Sequence, residues 1–150
     1  MKVLLSFVSS SVSDTEAIAE KLGKAVKAGT VIAYFGGLGM GKTAFTRGLA
    51  RGMGITADVA SPTFAIVNDY GGNPPLVHFD MYKVESWDDL YSSGFFDYLD
   101  MGAVLAVEWS ENIENALPDD AVRVTIRQGT SENERIIIVE GGYTDENFSC

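Results

Sequence analysis

The sequence predicts a single α/β domain over residues 1–150, in which a mixed parallel and antiparallel sheet is flanked by helices. Two apolar runs, residues 31–35 and 103–109, have the composition of strands that are buried on both faces. Apolar residues over 17–26 repeat with the period of a helix. The 150 residues, 46% of them hydrophobic, are enough for one domain with a core and exclude a disordered chain.

The first third of the chain predicts a strand and two helices around the first apolar run. Residues 3–8 form a short apolar run that we assign to a strand. Ser13 or Asp14 is expected to cap the following helix, and Gly29 to end it. Apolar residues spaced by four then predict a second helix over residues 43–53.

The rest of the chain predicts further strands and shorter helices. Residues 61–70 begin as a loop and become a strand, and residues 76–82 form the next strand. Because the connection between them is short, we expect this pair to be antiparallel. The remaining elements are a helix over residues 85–100 with a break near Gly94, a short helix over 111–117, and a closing hairpin of residues 121–128 and 134–142.

Charge and composition argue against a large nucleic-acid-binding surface and against a membrane span, although a local basic patch remains possible. The net charge of −10 argues against a DNA- or RNA-binding surface of the chain's own, because such binding depends on neutralising phosphates. No apolar run approaches the ~20 residues that a membrane span needs. The single cysteine, Cys150, has no partner within the chain, and a free thiol fits the reducing cytoplasm.

A phosphate-binding loop follows the first buried strand. Gly36, Gly41, Lys42 and Thr43 match the P-loop pattern, and the pattern stands between a predicted strand and a predicted helix, as a P-loop NTPase-like domain requires. Glycines let backbone N–H groups approach phosphate oxygens, and the helix N-terminus adds positive potential. Lys42 is expected to reach the β- and γ-phosphates and the Thr43 hydroxyl to ligate Mg²⁺. The residues predicted to hold the nucleotide are Gly36, Gly37, Leu38, Gly39, Met40, Gly41, Lys42 and Thr43.

Two acidic residues end predicted strands and are candidates for catalysis. Asp80 and Glu108 each follow an apolar strand, and ligands of open α/β sheets lie at the carboxyl ends of strands. We expect Glu108 to end the more buried of the two strands, and therefore to hold Mg²⁺, directly or through water. Asp80 is then a candidate to orient the attacking water or to assist the metal.

Three other residues near these strands have alternative interpretations. Thr63 follows a Ser-Pro pair and fits either a switch that senses the γ-phosphate or an ordinary turn. His78 is expected to be a core or surface histidine rather than a catalytic base. Trp109 is expected to pack, with a second interpretation in which it covers the nucleotide or contacts a partner. Ser11, Ser13 and Thr15 are weak candidates for the adenine pocket.

The absence of two motifs argues against two classes of P-loop protein, the guanine-specific GTPases and the small-molecule kinases. A GTPase that reads guanine carries an Asn/Thr-Lys-x-Asp segment, and none of the chain's lysines lies in one. A small-molecule kinase usually has an arginine-rich lid, and the arginines here do not cluster in a lid-like insertion. A small ATPase that acts on partners remains, with a nucleotide-dependent switch without productive turnover and a small kinase as alternatives.

Several segments together resemble one protein family. The segments GGLGMGKTAFTRGLARGMG, SPTFAIVNDY, HFDMYK, GFFDYLD and LAVEWSENI followed by LP occur in an order and spacing similar to the TsaE (YjeE) family. These are small bacterial ATPases of tRNA threonylcarbamoyladenosine biosynthesis. The resemblance covers roughly residues 14–128. The motifs Ser-Pro-Thr, His-Phe-Asp-x-Tyr and Val-Glu-Trp, which follow the P-loop, make the resemblance more specific than the P-loop alone.

The resemblance implies a function and a set of partners. It implies that the chain binds ATP and Mg²⁺, hydrolyses ATP slowly, and associates with TsaD-like and TsaB-like proteins, with tRNA reached only through that complex. It implies that ATP turnover resets or activates the TsaD–TsaB pair, which transfers a threonylcarbamoyl group to tRNA. It assigns Thr43 and Glu108 to the metal and matches Asp80 and the segment from Ser61 to Thr63 to family motifs.

The chain departs from the usual family pattern at three positions. Gly37 replaces the usual Asp and Met40 a common Ala, and both changes leave a cradle that is built from backbone. Lys83 replaces the usual Arg, which keeps the positive charge but loses the planar fork of the guanidinium.

Overall fold

A seven-stranded sheet organises the chain. The computed structural model describes residues 3–36, 41–56, 59 and 67–141. The strands are β1 (Val3–Ser9), β2 (Val31–Phe35), β3 (Val67–Gly72), β4 (Pro75–Asp80), β5 (Val104–Glu108), β6 (Val122–Gln128) and β7 (Arg135–Gly141). The helices are α1 (Val12–Ala25), α2 (Lys42–Gly52), α3 (Trp87–Ser92), α4 (Phe95–Asp100) and a 3₁₀ helix (Ser110–Ala116).

The sheet is parallel in its centre and antiparallel at both sides. Its strand order is β1-β7-β6-β2-β5-β4-β3. Strands β6, β2, β5 and β4 run parallel to one another, whereas β3 pairs antiparallel with β4, and β7 with both β6 and β1. The predicted α/β class and mixed sheet are therefore confirmed, as are the antiparallel β3–β4 pair and the closing β6–β7 hairpin.

The two faces of the sheet have separate cores. On one face, α1 and α2 cover alternate residues of the central strands, including Ile32, Tyr34 and Ala106. On the other face, Leu90 of α3 and Phe95 of α4 pack with the intervening residues of β4 and β5. Because side chains alternate along a strand, residues two positions apart lie on the same face of the sheet and meet the same helices. Glu108 is two residues after Ala106 and therefore lies on the α1/α2 face.

Helices α1 and α2 approach each other closely through glycines. A Cβ atom added to Gly48 would overlap the backbone oxygen of Glu16, and one added to Gly23 would overlap the backbone oxygen of Leu49. Beside this contact the Glu16 carboxylate accepts hydrogen bonds from Arg47 (2.7 Å) and Arg51 (2.9 Å). The hydrogen bond from Arg47 is the main cause that lowers the pKa of Glu16 below its usual range.

Some predicted helix boundaries are wrong. Ser11, rather than Ser13 or Asp14, caps α1: its side chain accepts from the Asp14 N–H, and the Asp14 carboxylate accepts from the Ser10 N–H. This reciprocal pair satisfies two N–H groups at once, which neither predicted cap would do. Helix α1 ends at Ala25, before Gly29, which adopts a positive φ of 81° in the connection to β2. The break at Gly94 is confirmed, since this glycine separates α3 from α4 with φ 87°.

The expected difference in burial between the two acid-bearing strands is also wrong. The four residues from Leu76 to Phe79 of β4 are buried, as are the four from Val104 to Val107 of β5. The polar His78 is fully buried because β4 is an interior strand between β5 and β3. Among the described residues, no helix is long and apolar enough to span a membrane.

Candidate nucleotide-binding site

The glycine-rich loop leaves β2 and enters α2, and the structure describes both of its ends. Gly36 adopts φ +125° against β6, where an added Cβ would overlap the backbone oxygen of Ile126. Gly41 adopts φ +108° and is the N-cap of α2. Since Gly41 offers no side chain to cap the helix, no side-chain hydrogen bond is made by the cap to the first turn of α2. This end of α2 combines the N–H groups of a helix N-terminus with the positive end of the helix dipole.

Lys42 lies in the first turn of α2, and its side chain points back towards Gly36, directly after β2. Its side chain is largely buried, at 8% exposure, and its Nζ donates to the backbone oxygen of Gly36 at 2.8 Å. The same ammonium lies 5.9 Å from the centre of the Trp109 ring. A buried lysine needs such partners because desolvation of its charge is costly. The ammonium is thus held between the Gly36 backbone oxygen and the Trp109 ring.

A buried hydroxyl pair supports the start of α2 from below. Tyr34 of β2 and Thr46 of α2 have their hydroxyl oxygens 2.7 Å apart, and Thr46 also donates to the backbone oxygen of Lys42 at 2.9 Å. Burial raises the pKa of the Tyr34 hydroxyl well above its usual value, so this group stays protonated and able to donate. The turn that carries Lys42 is therefore fixed to the central strand.

The two candidate acids lie side by side. Asp80 of β4 is paired in register with Glu108 of the neighbouring parallel strand β5, and both side chains lie on the face of the sheet that α1 and α2 cover. Asp80 Oδ1 accepts from the backbone N–H of Tyr82 at 2.9 Å, which orients the carboxylate at the end of its strand. Both acids are only partly exposed. The carboxyl edge of the parallel strands thus brings together two carboxylates and the helix that starts with Lys42.

Glu108 meets a buried histidine. His78 Nε2 lies 2.7 Å from Glu108 Oε2, with the imidazole fully buried and the Glu108 side chain 13% exposed. The two atoms are close, but neither makes a hydrogen bond of satisfactory geometry with the described residues. The other ring nitrogen, Nδ1, lies 3.4 Å from the hydroxyl oxygen of Tyr70 on β3. His78 is a core histidine, as expected, but its contact with Glu108 was missed; its position two residues before Asp80 on the same strand face is the signal that would have indicated it.

Trp109 covers one side of the site in a strained backbone conformation. It is the only described non-glycine residue with positive φ (59°), and such a conformation in a bulky residue often marks a functional position. Its ring packs 4.8 Å from that of Tyr82, centre to centre, and beside the Lys42 ammonium. The side chain of Asn112 in the 3₁₀ helix donates to the backbone oxygens of Met81 (2.8 Å) and Tyr82 (3.2 Å). The segment after β4 and the segment after β5 are therefore joined to each other, on the side of the site where Trp109 lies beside Lys42.

A cavity of about 340 Å³ adjoins the start of α2. Its walls come from the N-terminus of α1, the start of α2 and the beginning of β7, and include Ser11, Thr15, Gly41, Ala44 and Arg135. Thr15 is buried and its hydroxyl oxygen lies 2.7 Å from that of Ser9. Two of the three weak candidates for an adenine pocket, Ser11 and Thr15, line this cavity, whereas Ser13 is not among its lining residues.

Several predicted site residues lie outside the described residues. These are Gly37, Leu38, Gly39 and Met40 of the loop, together with Ser61, Pro62 and Thr63. Thr43 is described, half-buried in the first turn of α2. Within the described ranges no group of three or more His, Cys, Asp or Glu side chains is arranged to hold a metal ion by itself.

Comparison with known proteins decides the family. A family model described as threonylcarbamoyl adenosine biosynthesis protein TsaE matches residues 9–137. The chain belongs to the TsaE family. This match includes the glycine-rich loop, both strand-end acids, His78 and Trp109.

Individual TsaE relatives match over most of their length. The Bacillus subtilis tRNA threonylcarbamoyladenosine biosynthesis protein TsaE is 38% identical over 130 residues, which are 86% of this chain and 81% of the relative. The Treponema pallidum protein of the same name is 33% identical over 131 residues, covering 87% and 97%. The crystal structure of B. subtilis YdiB superposes with a TM-score of 0.77 at 33% identity, covering 94% of this chain and 87% of that one.

Proposed function

We propose that this chain is the ATP-binding, slowly ATP-hydrolysing subunit of a tRNA threonylcarbamoyladenosine modification system. Its turnover would drive the cycling of a TsaD-like and TsaB-like transferase pair, with tRNA met only through that complex, in the cytoplasm. The observation that carries the ATPase part is the register pairing of Asp80 with Glu108 beside the helix that begins with Lys42. Membership of the TsaE family supports the pathway.

The phosphates would lie at the N-terminus of α2. Backbone N–H groups of the loop and of the first helical turn would donate to phosphate oxygens, because the N-cap Gly41 contributes no competing side chain. The Lys42 ammonium, now on the Gly36 oxygen at 2.8 Å, would exchange that partner for β- and γ-phosphate oxygens. Gly37, Leu38, Gly39 and Met40 would complete the cradle, and Thr63 would contact the γ-phosphate as a switch residue.

The adenosine moiety would enter the cavity beside Gly41. A volume of about 340 Å³ falls within the usual range of small-molecule sites. Its lining offers the Ser11 and Thr15 region as polar groups and the Val12 and Ala44 side chains as apolar surface. Because Gly41 borders both the cavity and the phosphate-binding turn, a nucleotide would pass from one to the other without a gap.

The side chains at the site fit Mg²⁺. Thr43 and Glu108 offer hydroxyl and carboxylate oxygens, which this ion prefers, and Glu108 Oε2 is a buried oxygen without a well-formed hydrogen bond among the described residues. Protein side chains usually hold Mg²⁺ with only one or two carboxylates, the remaining ligands being phosphates and water. Thr43 and Glu108 would hold the ion, whose positive charge would stabilise the negative charge that develops on the phosphates.

Asp80 would position the attacking water. Its Oδ1 is held by the Tyr82 N–H, which leaves Oδ2 as an acceptor for a water proton. The water oxygen would form the new bond to the γ-phosphorus as the bond to the β–γ bridging oxygen breaks. The electron pair of the broken bond leaves with ADP, and the water proton passes through Asp80 to the released phosphate. Trp109, covering Lys42, would limit water access from that side.

Nucleotide titration and phosphate release test the proposal. ATP should bind and be hydrolysed slowly with Mg²⁺, GTP should bind more weakly, and a purified TsaD–TsaB pair should form a complex with the chain. Lys42→Ala should weaken ATP binding and abolish hydrolysis, whereas Lys27→Ala, at an exposed lysine after α1, should change neither. Tight ATP binding without any turnover, alone or with the pair, would favour the nucleotide-dependent switch instead. Turnover that requires a small-molecule phosphate acceptor would favour a kinase.

A further inference from the structure

Helices α3 and α4 carry a surface cluster of three aromatic rings, of which two are exposed and one, Phe96, is half-buried against the core. This aromatic face consists of Trp87, Tyr91 and Phe96, with Trp87 54% and Tyr91 63% exposed. The Trp87 and Phe96 rings stack at an interplanar angle of 13° with centres 6.4 Å apart, and the Tyr91 and Phe96 rings lie 4.8 Å apart. The cluster is therefore an ordered apolar surface that faces solvent.

Side chains other than the two exposed rings fill the interior beneath α3 and α4. Leu90 of α3 and Phe95 of α4 already fill the interior against β4 and β5, and both are buried. Trp87 and Tyr91 are four residues apart, so they are neighbours on α3, and both are exposed. Large aromatic side chains grouped on a surface are typical anchors of protein–protein interfaces.

The chain segment that carries the aromatic face is strongly acidic. Residues 84–122 contain ten of the chain's 21 Asp and Glu residues and none of its 11 Lys and Arg residues. The other 11 acidic residues equal the 11 basic ones in number, so the whole net charge of −10 lies in this segment. Such a surface repels nucleic acid and favours a partner protein with a basic surface.

A cleft beside Trp87 would accept a basic side chain. It measures about 310 Å³ and lies between the start of α3 and the 3₁₀ helix. Trp87 lines it together with Glu85, Glu111 and Glu114. Glu114 is paired with Arg123 at 3.0 Å, whereas Glu85 and Glu111 are exposed carboxylates. A tryptophan ring beside carboxylates is a good receptor for an Arg or Lys side chain.

We propose that the aromatic face and this cleft form the docking surface for a basic region of the TsaD–TsaB pair, with an Arg or Lys of the partner in the cleft. The assignment rests on the proposed function for the identity of the partner. The contact would reach the nucleotide site through the 3₁₀ helix, which lines the cleft at Asn112 and begins next to Trp109. The Asn112 side chain also donates to the backbone oxygen of Met81, directly after Asp80. The 3₁₀ helix would therefore contact both the docked partner and the strand end that carries Asp80.

Binding of the purified TsaD–TsaB pair to surface variants tests the docking assignment. In the double variant Trp87→Ala/Tyr91→Ala, affinity should fall about 10-fold or more, the scale of losing an aromatic hot spot. Glu111→Lys should also weaken binding and flatten its dependence on salt. The matched control is Leu4→Ala/Val8→Ala, which removes apolar side chains that are 66% and 63% exposed on β1 at the far edge of the sheet. This control should bind like the unchanged chain.

The readouts separate the two proposals. Thermal unfolding, ATP affinity and basal hydrolysis should be unchanged in the surface variants, since none of these residues lies in the nucleotide site. Full-strength binding by the Trp87→Ala/Tyr91→Ala variant would overturn the docking assignment while leaving the proposed function intact. Equal loss in the β1 control would likewise overturn it. Absence of binding by the unchanged chain, with and without ATP, would overturn the docking assignment and the proposed partnership together.

Discussion

His78 Nε2 lies 2.7 Å from Glu108 Oε2, across the two adjacent parallel strands β4 and β5. The imidazole is fully buried and the carboxylate nearly so. A fully buried imidazole in such close contact restricts the carboxylate to few rotamers, because the imidazole fills the space into which the carboxylate would otherwise rotate. His78 therefore holds Glu108 in position at the edge where Lys42 and Asp80 also lie.

Removing the His78 side chain should misplace Glu108. We expect His78→Ala to raise the Mg²⁺ concentration needed for half-maximal hydrolysis and to lower the rate about 10-fold, with ATP affinity in the absence of metal little changed. His78→Gln, whose amide nitrogen reaches a similar place, should recover most of the loss. Metal titrations by calorimetry and phosphate release check this. An equal defect in both variants, with intact folding, would contradict a positioning role.

The two strand-end acids should fail in different ways. Glu108→Gln removes charge where the metal is proposed to bind, so both Mg²⁺ affinity and hydrolysis should fall. Asp80→Asn should leave ATP and Mg²⁺ binding nearly intact while slowing hydrolysis by roughly 10²-fold, the scale of losing general-base help. Binding and single-turnover measurements on both variants decide it. Loss of the metal in Asp80→Asn alone would reverse the two roles.

The contact between α1 and α2 should not tolerate a methyl group at Gly48. An added Cβ overlaps the backbone oxygen of Glu16, and backbone cannot move aside as a flexible side chain can. Gly48→Ala should therefore lower the free energy of unfolding by about 1–3 kcal/mol, despite the higher helix propensity of alanine. Gly29→Asn is the control, since its positive φ suits asparagine and nothing lies within 4 Å of an added Cβ. Urea unfolding measures both; a stabilised Gly48→Ala would refute the close approach.

The Glu16 ion pairs should give a defined pH dependence. The pKa of Glu16 is lowered in the folded protein, mainly by the hydrogen bond from Arg47, so its stabilising effect is present above the unfolded value of 4.5 and is lost as pH falls through the folded pKa. Because both arginines are about half exposed, Glu16→Gln should cost only about 0.5–1 kcal/mol at pH 7. Unfolding curves between pH 7 and pH 3 should converge for the two proteins at the acid end. A constant difference over this range would exclude the carboxylate as the cause.

The chain by itself should bind tRNA weakly. Its net charge of −10, concentrated in residues 84–122, opposes the release of counterions from phosphates that drives such binding. In filter binding at physiological salt we expect little retention, with a dissociation constant weaker than about 10⁻⁶ M. Adding the TsaD–TsaB pair should restore retention. Submicromolar binding by the isolated chain would show a nucleic-acid surface that this charge distribution does not indicate.

Local patterns were enough to predict much of the fold. The buried strands β2 and β5 are continuous apolar runs, the break at Gly94 follows from a glycine within a helical pattern, and α2 begins at Lys42, at the end of the glycine-rich segment. Each of these depends on neighbours within a few residues, so it can be deduced before any tertiary contact is known. The cap of α1 was mispredicted because three nearby residues can cap, and only the reciprocal pairing of Ser11 with Asp14 distinguishes them.

The geometry of the candidate site was decided by long-range pairing. The amino-acid sequence by itself determined that Asp80 and Glu108 end strands and that Lys42 begins a helix. These are the three residues proposed to carry the chemistry. The sequence did not determine that β4 is as buried as β5, that His78 contacts Glu108, or that the cavity beside Gly41 takes a wall from β7. Strand order and register bring together residues 28 or more positions apart, and the free energy that selects this arrangement comes from packing the whole sheet against its helices. No local segment carries that information.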